Sequence, residues 1–207
     1  MKSDYERPVK ARYLDPVEVV WYATAARLGL RVRRNPSIFS MTDGTGLLEL
    51  GPKDTLDADD CTAQMIFHEL CHWITNGLET FELRDWGFPL EAELDWREHS
   101  CLRLQAHLAE SVGLRQVLAP TSGFRQYYDA LGEDVLAPLP GWPHEDRVVE
   151  RAREAIARAQ GEPWAPHLRA ALAATAALSQ TVQPFLATYC SDIEADQLPS
   201  LWSRQQR

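Results

Sequence analysis

The spacing of apolar residues predicts a chain of helices interrupted early by a few short strands. Asp15-Pro16 supplies an N-cap followed by proline at the first helical position. Apolar residues recur at helical spacing from Val17 to Leu28, and Gly29 closes the segment. Leu30 to Arg33 reads as a short strand, and Asn35-Pro36 breaks it. Ser37 to Met41 and Leu47 to Leu50 read as two strands joined by a hairpin loop, Thr42-Asp43-Gly44-Thr45-Gly46. Asp57, Asp59 and Asp60 are N-cap candidates for a helix from about Cys61 to Thr75, with Asn76-Gly77 as its C-cap. That helix is apolar almost all round, the pattern of a buried helix.

A further helix is predicted from about Leu90 to Val112. Residues Ala119 to Pro143 are rich in proline, glycine and turn formers and read as irregular. His144 to Gln160 and Pro166 to about Thr181 read as helices, with a short one after Pro184. The predicted class is α+β, mostly α. A small N-terminal sheet or hairpin packs on the buried helix 61–75, and a helical C-terminal half follows. The expectation is one domain over 1–207: a core at 1–118, an irregular connection at 119–143 and a helical part at 144–207.

Composition narrows the partners. The chain has 207 residues, 45% of them hydrophobic, with seven tryptophans to fill a core. Its net charge of -9 argues against nucleic acid, which needs a positive surface. Arg27, Arg31, Arg33 and Arg34 make a local basic cluster, read as a solvated face. No apolar run reaches the roughly 18 residues of a membrane span. The N-terminus has no apolar signal-peptide core, so a cytoplasmic location is expected. Cys61, Cys71, Cys101 and Cys190 are then expected to be reduced. They form no C-x-x-C pair, and buried small hydrophobes is their simplest reading.

The chemistry concentrates in His68-Glu69-Leu70-Cys71-His72. Histidines at i and i+4 on a helix place both imidazoles on one face, one turn apart, where they can share one metal ion. Glu69 lies about 100° round the helix from His68, placed either to deprotonate a metal-bound water or to orient a ligand. A site needs a third ligand. Leu94, Glu98, Cys101, Gln105, Leu108 and Val112 form one stripe of the following helix, and four of these six are apolar or cysteine. Glu98 is a carboxylate in that stripe, costly to bury alone, and is the preferred third ligand; Glu91 is the reserve. His99 and His107 project elsewhere and read as surface or outer-sphere residues. The sheet or hairpin packed on this metal-binding helix is then a zincin-like arrangement; two histidines and a carboxylate suit zinc for hydrolysis or iron(II) for oxygenation, and the spacing does not choose between them.

The run Phe67-His68-Glu69-Leu70-Cys71-His72-Trp73, then Gly77, then Asp85-Trp86-Gly87-Phe88, resembles the elongation factor P hydroxylase family. That family has His-Glu-x-x-His-Trp, a glycine four residues on, and Asp-Phe-Gly-Tyr eight residues beyond. Weaker similarity continues through Arg147 to Ala171 and Gln197-Leu198-Pro199 to Trp202. The segment after Gly87 is shorter than in the family, and its aromatic cluster is reduced to Phe88. The resemblance implies an iron site at His68 and His72, with Glu98 where the family has a glutamate. It also implies hydroxylation of a lysine on a translation factor, and hence a protein or peptide substrate. The alternatives are a zinc metallopeptidase-like hydrolase, with Glu69 as base and Tyr127, Tyr128 or His144 as oxyanion candidates, and a non-catalytic metal-stabilised interaction protein. Asp85 is expected to cap a turn or to contact substrate.

Overall fold

The computed structural model describes residues 13–57, 60–88 and 96–189. Helix α1, Pro16–Arg27, starts as its sequence dictates: the Asp15 carboxylate accepts from the amides of Val17 (2.9 Å) and Glu18 (3.1 Å). Strands β1 (Arg31–Arg34), β2 (Ser40–Thr42) and β3 (Leu47–Leu50) form a sheet in the order β1-β3-β2. The β2–β3 pair is the predicted hairpin, antiparallel with Met41 opposite Glu49. The Asp43 carboxylate organises its loop, accepting from Thr45 N (2.7 Å), Thr45 Oγ1 (2.6 Å) and Leu47 N (3.1 Å). These bonds, the Thr45 hydroxyl first, hold the Asp43 carboxyl below its usual range. β1 adds to β3 in parallel, Arg31 opposite Leu47. Of the basic cluster, Arg33 pairs with Glu49 at 2.5 Å and Arg34 bonds Gly51 O at 2.6 Å and Thr62, so both brace the sheet; Arg27 and Arg31 remain exposed.

Helix α2, Thr62–Asn76, is the centre of the fold and packs against α1, β2 and two later helices. Its cap corrects the expectation of an aspartate. Cys61 Sγ accepts from Gln64 N (3.4 Å) and Gln64 Oε1 accepts from Cys61 N (3.3 Å), a reciprocal capping box. Asp57 and Asp60 lie before it, and Asp59 falls outside the described residues. The helix ends at Gly77, as predicted. The chain then turns through Leu78–Thr80 and Arg84–Gly87. This return lies against the hairpin because Gly44 has no side chain: a Cβ there would meet Glu82 O at 2.8 Å and Arg84 N at 3.0 Å, and its φ is +75°.

Helix α3, Trp96–Glu110, is the described part of the second predicted helix and ends two residues short of the predicted Val112; Leu94 and Glu91 lie outside the described residues. The stretch 119–143 is not all irregular. It contains α4, Ser122–Ala130, whose Tyr127 and Tyr128 are buried. The nine residues of α4 pack on α3, a return of the chain that leaves no periodic mark in the sequence. Helix α5, Glu145–Ala159, matches prediction and packs on α2 and α3. The two C-terminal helices predicted around Pro184 are one, α6, Trp164–Tyr189. Pro184 cannot donate to Gln180 O, but both residues are exposed there, so water can satisfy that carbonyl. Among the described residues no helix is long and apolar enough to cross a membrane.

The main core gathers around α2. Trp73 stacks on Trp86 (5.3 Å, 7° between planes) and meets Trp164 edge-on at 5.4 Å. Trp21 donates to Thr175 Oγ1 at 3.0 Å, tying α1 to α6. A second cluster joins α3, α4 and α5 around Leu102, Ala106, Tyr127 and Val148. Inside it Arg103, fully buried, donates to Tyr127 OH (2.6 Å), Ala137 O (3.0 Å) and Glu145, while Tyr127 OH donates to Glu145 Oε1 (2.8 Å). His99 corrects the sequence reading here. It is buried, not at the surface, stacked face to face on Tyr127 (3.8 Å) with Trp142 edge-on at 5.3 Å.

Candidate metal centre

Helix α2 is buried on all sides but one. Of its 15 residues only His68, His72 and Asn76 are half-buried, and they fall at i, i+4 and i+8. The stripe the sequence assigns to the two imidazoles is therefore the one stripe solvent can reach.

Helix α3 faces that stripe. Glu98 Oε1 lies 3.4 Å from His68 Nε2, and Glu98 Oε2 lies 3.3 Å from His72 Nε2. The two Nε2 atoms are 2.8 Å apart. One turn along α3, Cys101 Sγ joins them: the donor atoms of His68, His72, Glu98 and Cys101 all lie within 4.8 Å of one another, a group that could hold a metal ion. The structure thus brings together the three predicted ligands. Glu91 lies outside the described residues. Cys101, on the predicted stripe, reads most simply from the sequence as a buried hydrophobe; its place in the donor group depends on the facing helix, which sequence does not position.

The donor chemistry fits a divalent cation. Donors bonded to one ion at about 2.1 Å sit roughly 3.0–3.4 Å apart. The imidazole–carboxylate separations fall in that span, and the imidazole–imidazole distance is slightly shorter. Burial first, and His68 second, push the His72 pKa well below the ordinary value, so that ring is neutral, the form that ligates. Burial first, and the Glu98 charge second, raise the Cys101 thiol well above its usual range; its Sγ lies 3.9 Å from His68 O. Two aromatic rings wall the histidines. Phe88 meets His72 edge-on at 4.3 Å, and Phe124 of α4 stacks over His68 at 6.0 Å.

Glu69 faces the other way. It is buried, with Oε1 accepting from Ser40 Oγ of β2 (2.6 Å) and Oε2 accepting from the Trp86 indole (3.1 Å). Burial raises its pKa against the pull of both hydrogen bonds. Asp85, read as a turn cap or substrate contact, carries a carboxyl raised to about 7, first by burial and then by the Glu69 charge. Asp85 and Trp86 hold the left-handed backbone, φ 51° and 53°, and Asn76 Nδ2 donates to Trp86 O at 2.7 Å. The three oxyanion candidates are engaged or remote. Tyr127 OH serves Arg103 and Glu145, Tyr128 OH donates to Arg115 O (2.9 Å), and His144 is an exposed helix-start residue.

No protein-family model matches the chain, and no match emerges among curated proteins or among solved structures.

Proposed function

We propose that this protein is a metal-dependent enzyme of the 2-His-1-carboxylate type, an iron(II) hydroxylase acting on a protein or peptide side chain. The observation that carries the reading is the convergence of His68, His72 and Glu98 on one spot along the solvent-reachable stripe of an otherwise buried helix. A metal held only to brace the fold has no need of that opening, whereas a substrate does. In this reading His68 and His72 present Nε2 lone pairs and Glu98 offsets part of the cation's charge. Phe88 and Phe124 hold the imidazole planes and keep water from their flanks. Iron(II) held by these three residues would supply oxygen activation.

The commitments of Glu69 favour oxygenation over hydrolysis. A peptidase base must aim a carboxylate oxygen at the metal-bound water, and both oxygens of Glu69 are hydrogen-bonded to Ser40 and Trp86. Glu69 is then a brace between α2, the hairpin and the Arg84–Gly87 turn. The resemblance to elongation factor P hydroxylases around His68 to Phe88 points the same way and suggests a lysine side chain as the target. The test is anaerobic loading with iron(II), then exposure to air with a translation-factor substrate and an added two-electron reductant such as ascorbate, which reduces the second oxygen atom of O₂ to water, read by mass spectrometry. Gain of one oxygen atom, lost in Glu98→Ala, is expected. Peptide cleavage by the zinc-loaded protein, without oxygen insertion by the iron-loaded one, would overturn the reading.

A further inference from the structure

One buried polar group beside the site has no role so far. Gln105 lies on α3 two turns beyond Glu98 and is fully buried. Its amide spans two partners. Nε2 donates to the backbone carbonyl of Leu118 at 2.7 Å, and Oε1 lies 2.8 Å from His68 Nδ1. The orientation of this amide is fixed by its surroundings. A carbonyl oxygen only accepts, so the Gln105 NH₂ must face Leu118. The Gln105 oxygen must then face His68 Nδ1, and an oxygen only accepts. The hydrogen of a neutral His68 ring therefore sits on Nδ1, and its lone pair on Nε2.

We propose that Gln105 is a positioning residue that locks His68 in the Nδ1–H tautomer, leaving the Nε2 lone pair aimed at Glu98 and His72. The inference rests on the metal-site reading above for its purpose, but not for its geometry. The same stretch of chain holds the ring twice. Leu118 anchors the relay that grips its edge, and Phe124, six residues on, stacks on its face. Residues 118–124 thus set the direction of one ligand without contributing a ligand. A metal-bound histidine whose other nitrogen donates to a fixed acceptor is held in ring orientation and made a better donor. Here a side-chain amide, itself pinned by a main-chain carbonyl, is that acceptor.

The experiment is nitrogen-15 NMR of the histidine rings in chelator-stripped protein, with cobalt(II) titration followed by its visible absorption. Wild type should show His68 as the Nδ1–H tautomer before any metal is added. Gln105→Met keeps the volume and removes both hydrogen bonds. It should release His68 toward the Nε2–H form and weaken cobalt binding by about 10–100-fold. Gln105→Glu, which retains an acceptor toward Nδ1, should keep the Nδ1–H tautomer. A purely structural role for Gln105 would not move the tautomer. The inference is overturned by an Nε2–H His68 in metal-free wild type, or by an unchanged tautomer and affinity in Gln105→Met. The wild-type reading needs no variant, so poor folding of Gln105→Met does not remove the test. A locked Nδ1–H His68 in a wild type that binds no cobalt would leave the positioning role standing and sink the metal reading instead.

Discussion

Glu69 and Trp86 share a hydrogen bond, indole Nε1 to carboxylate Oε2 at 3.1 Å, in the buried space between helix α2 and the turn that follows it. With Ser40 on its other oxygen, Glu69 ties three chain segments together beside His68 and His72. Glu69→Met keeps the length and removes both acceptors, which leaves the buried Trp86 indole N–H without a partner. It should lower unfolding free energy by about 1–3 kcal/mol, the cost of a buried unmet polar group. Metal content should not change. Urea denaturation and elemental analysis of the same preparation check both parts. A variant as stable as wild type but inactive in peptide hydrolysis would return Glu69 to the role of base.

Asp85 makes stability depend on pH in a definite direction. Its carboxyl rises from the ordinary 3.8 to about 7 in the folded protein, through burial first and Glu69 second, with Arg84 opposing. The folded state therefore binds this proton more tightly than the unfolded state. Below the unfolded value both states are protonated and the group is neutral to stability. As pH rises from about 4 to about 7 the unfolded state releases this proton while the folded state keeps it, so stability falls; above about 7 both states are charged and the loss stays constant. Asp85→Asn removes this dependence. Thermal unfolding from pH 4 to 8 should show the variant gaining on wild type as pH rises, then a constant difference. The left-handed φ of 51° suits asparagine at least as well, which adds only a pH-independent offset. Parallel curves for the two proteins would contradict the assignment.

Arg103 and Glu145 join α3 to the start of α5 in a space with almost no water. Removing one charge leaves the other buried and unpaired. Arg103→Met should cost about 3–5 kcal/mol in urea unfolding. It should also disturb the stack of His99 on Tyr127, since Tyr127 OH bonds to both members of the pair. A loss under about 1 kcal/mol, the size of an exposed ion pair, would show that the pair is reached by solvent.

The local signals were legible in the sequence, and the long-range ones were not. Asp15-Pro16, the 40–50 hairpin and the helix carrying His68 and His72 follow from caps, turn residues and spacing within a few positions of one another. Glu98 was legible because an acid on a mostly apolar stripe demands a partner. The cap at Cys61 was hidden because cysteine is a rare cap beside three nearby aspartates. Helix α4 and the burial of His99 were hidden for one reason. Both depend on the 119–143 chain folding back over α3, and that return leaves no periodic mark in the sequence. Cys101 and Gln105 were visible as members of the stripe. Their roles depend on which atoms of α2 and Leu118 stand opposite, which is a matter of packing.

The metal itself is the most direct test. Chelator-stripped protein, loaded anaerobically with iron(II) and passed through a desalting column, should retain one ion per chain by elemental analysis. His68→Ala, His72→Ala and Glu98→Ala should each lower affinity by more than about a hundredfold, beyond the range of outer-sphere changes, with helical circular dichroism preserved. Wild-type protein that retains neither iron(II) nor zinc(II), or variants that bind as wild type does, would contradict the account.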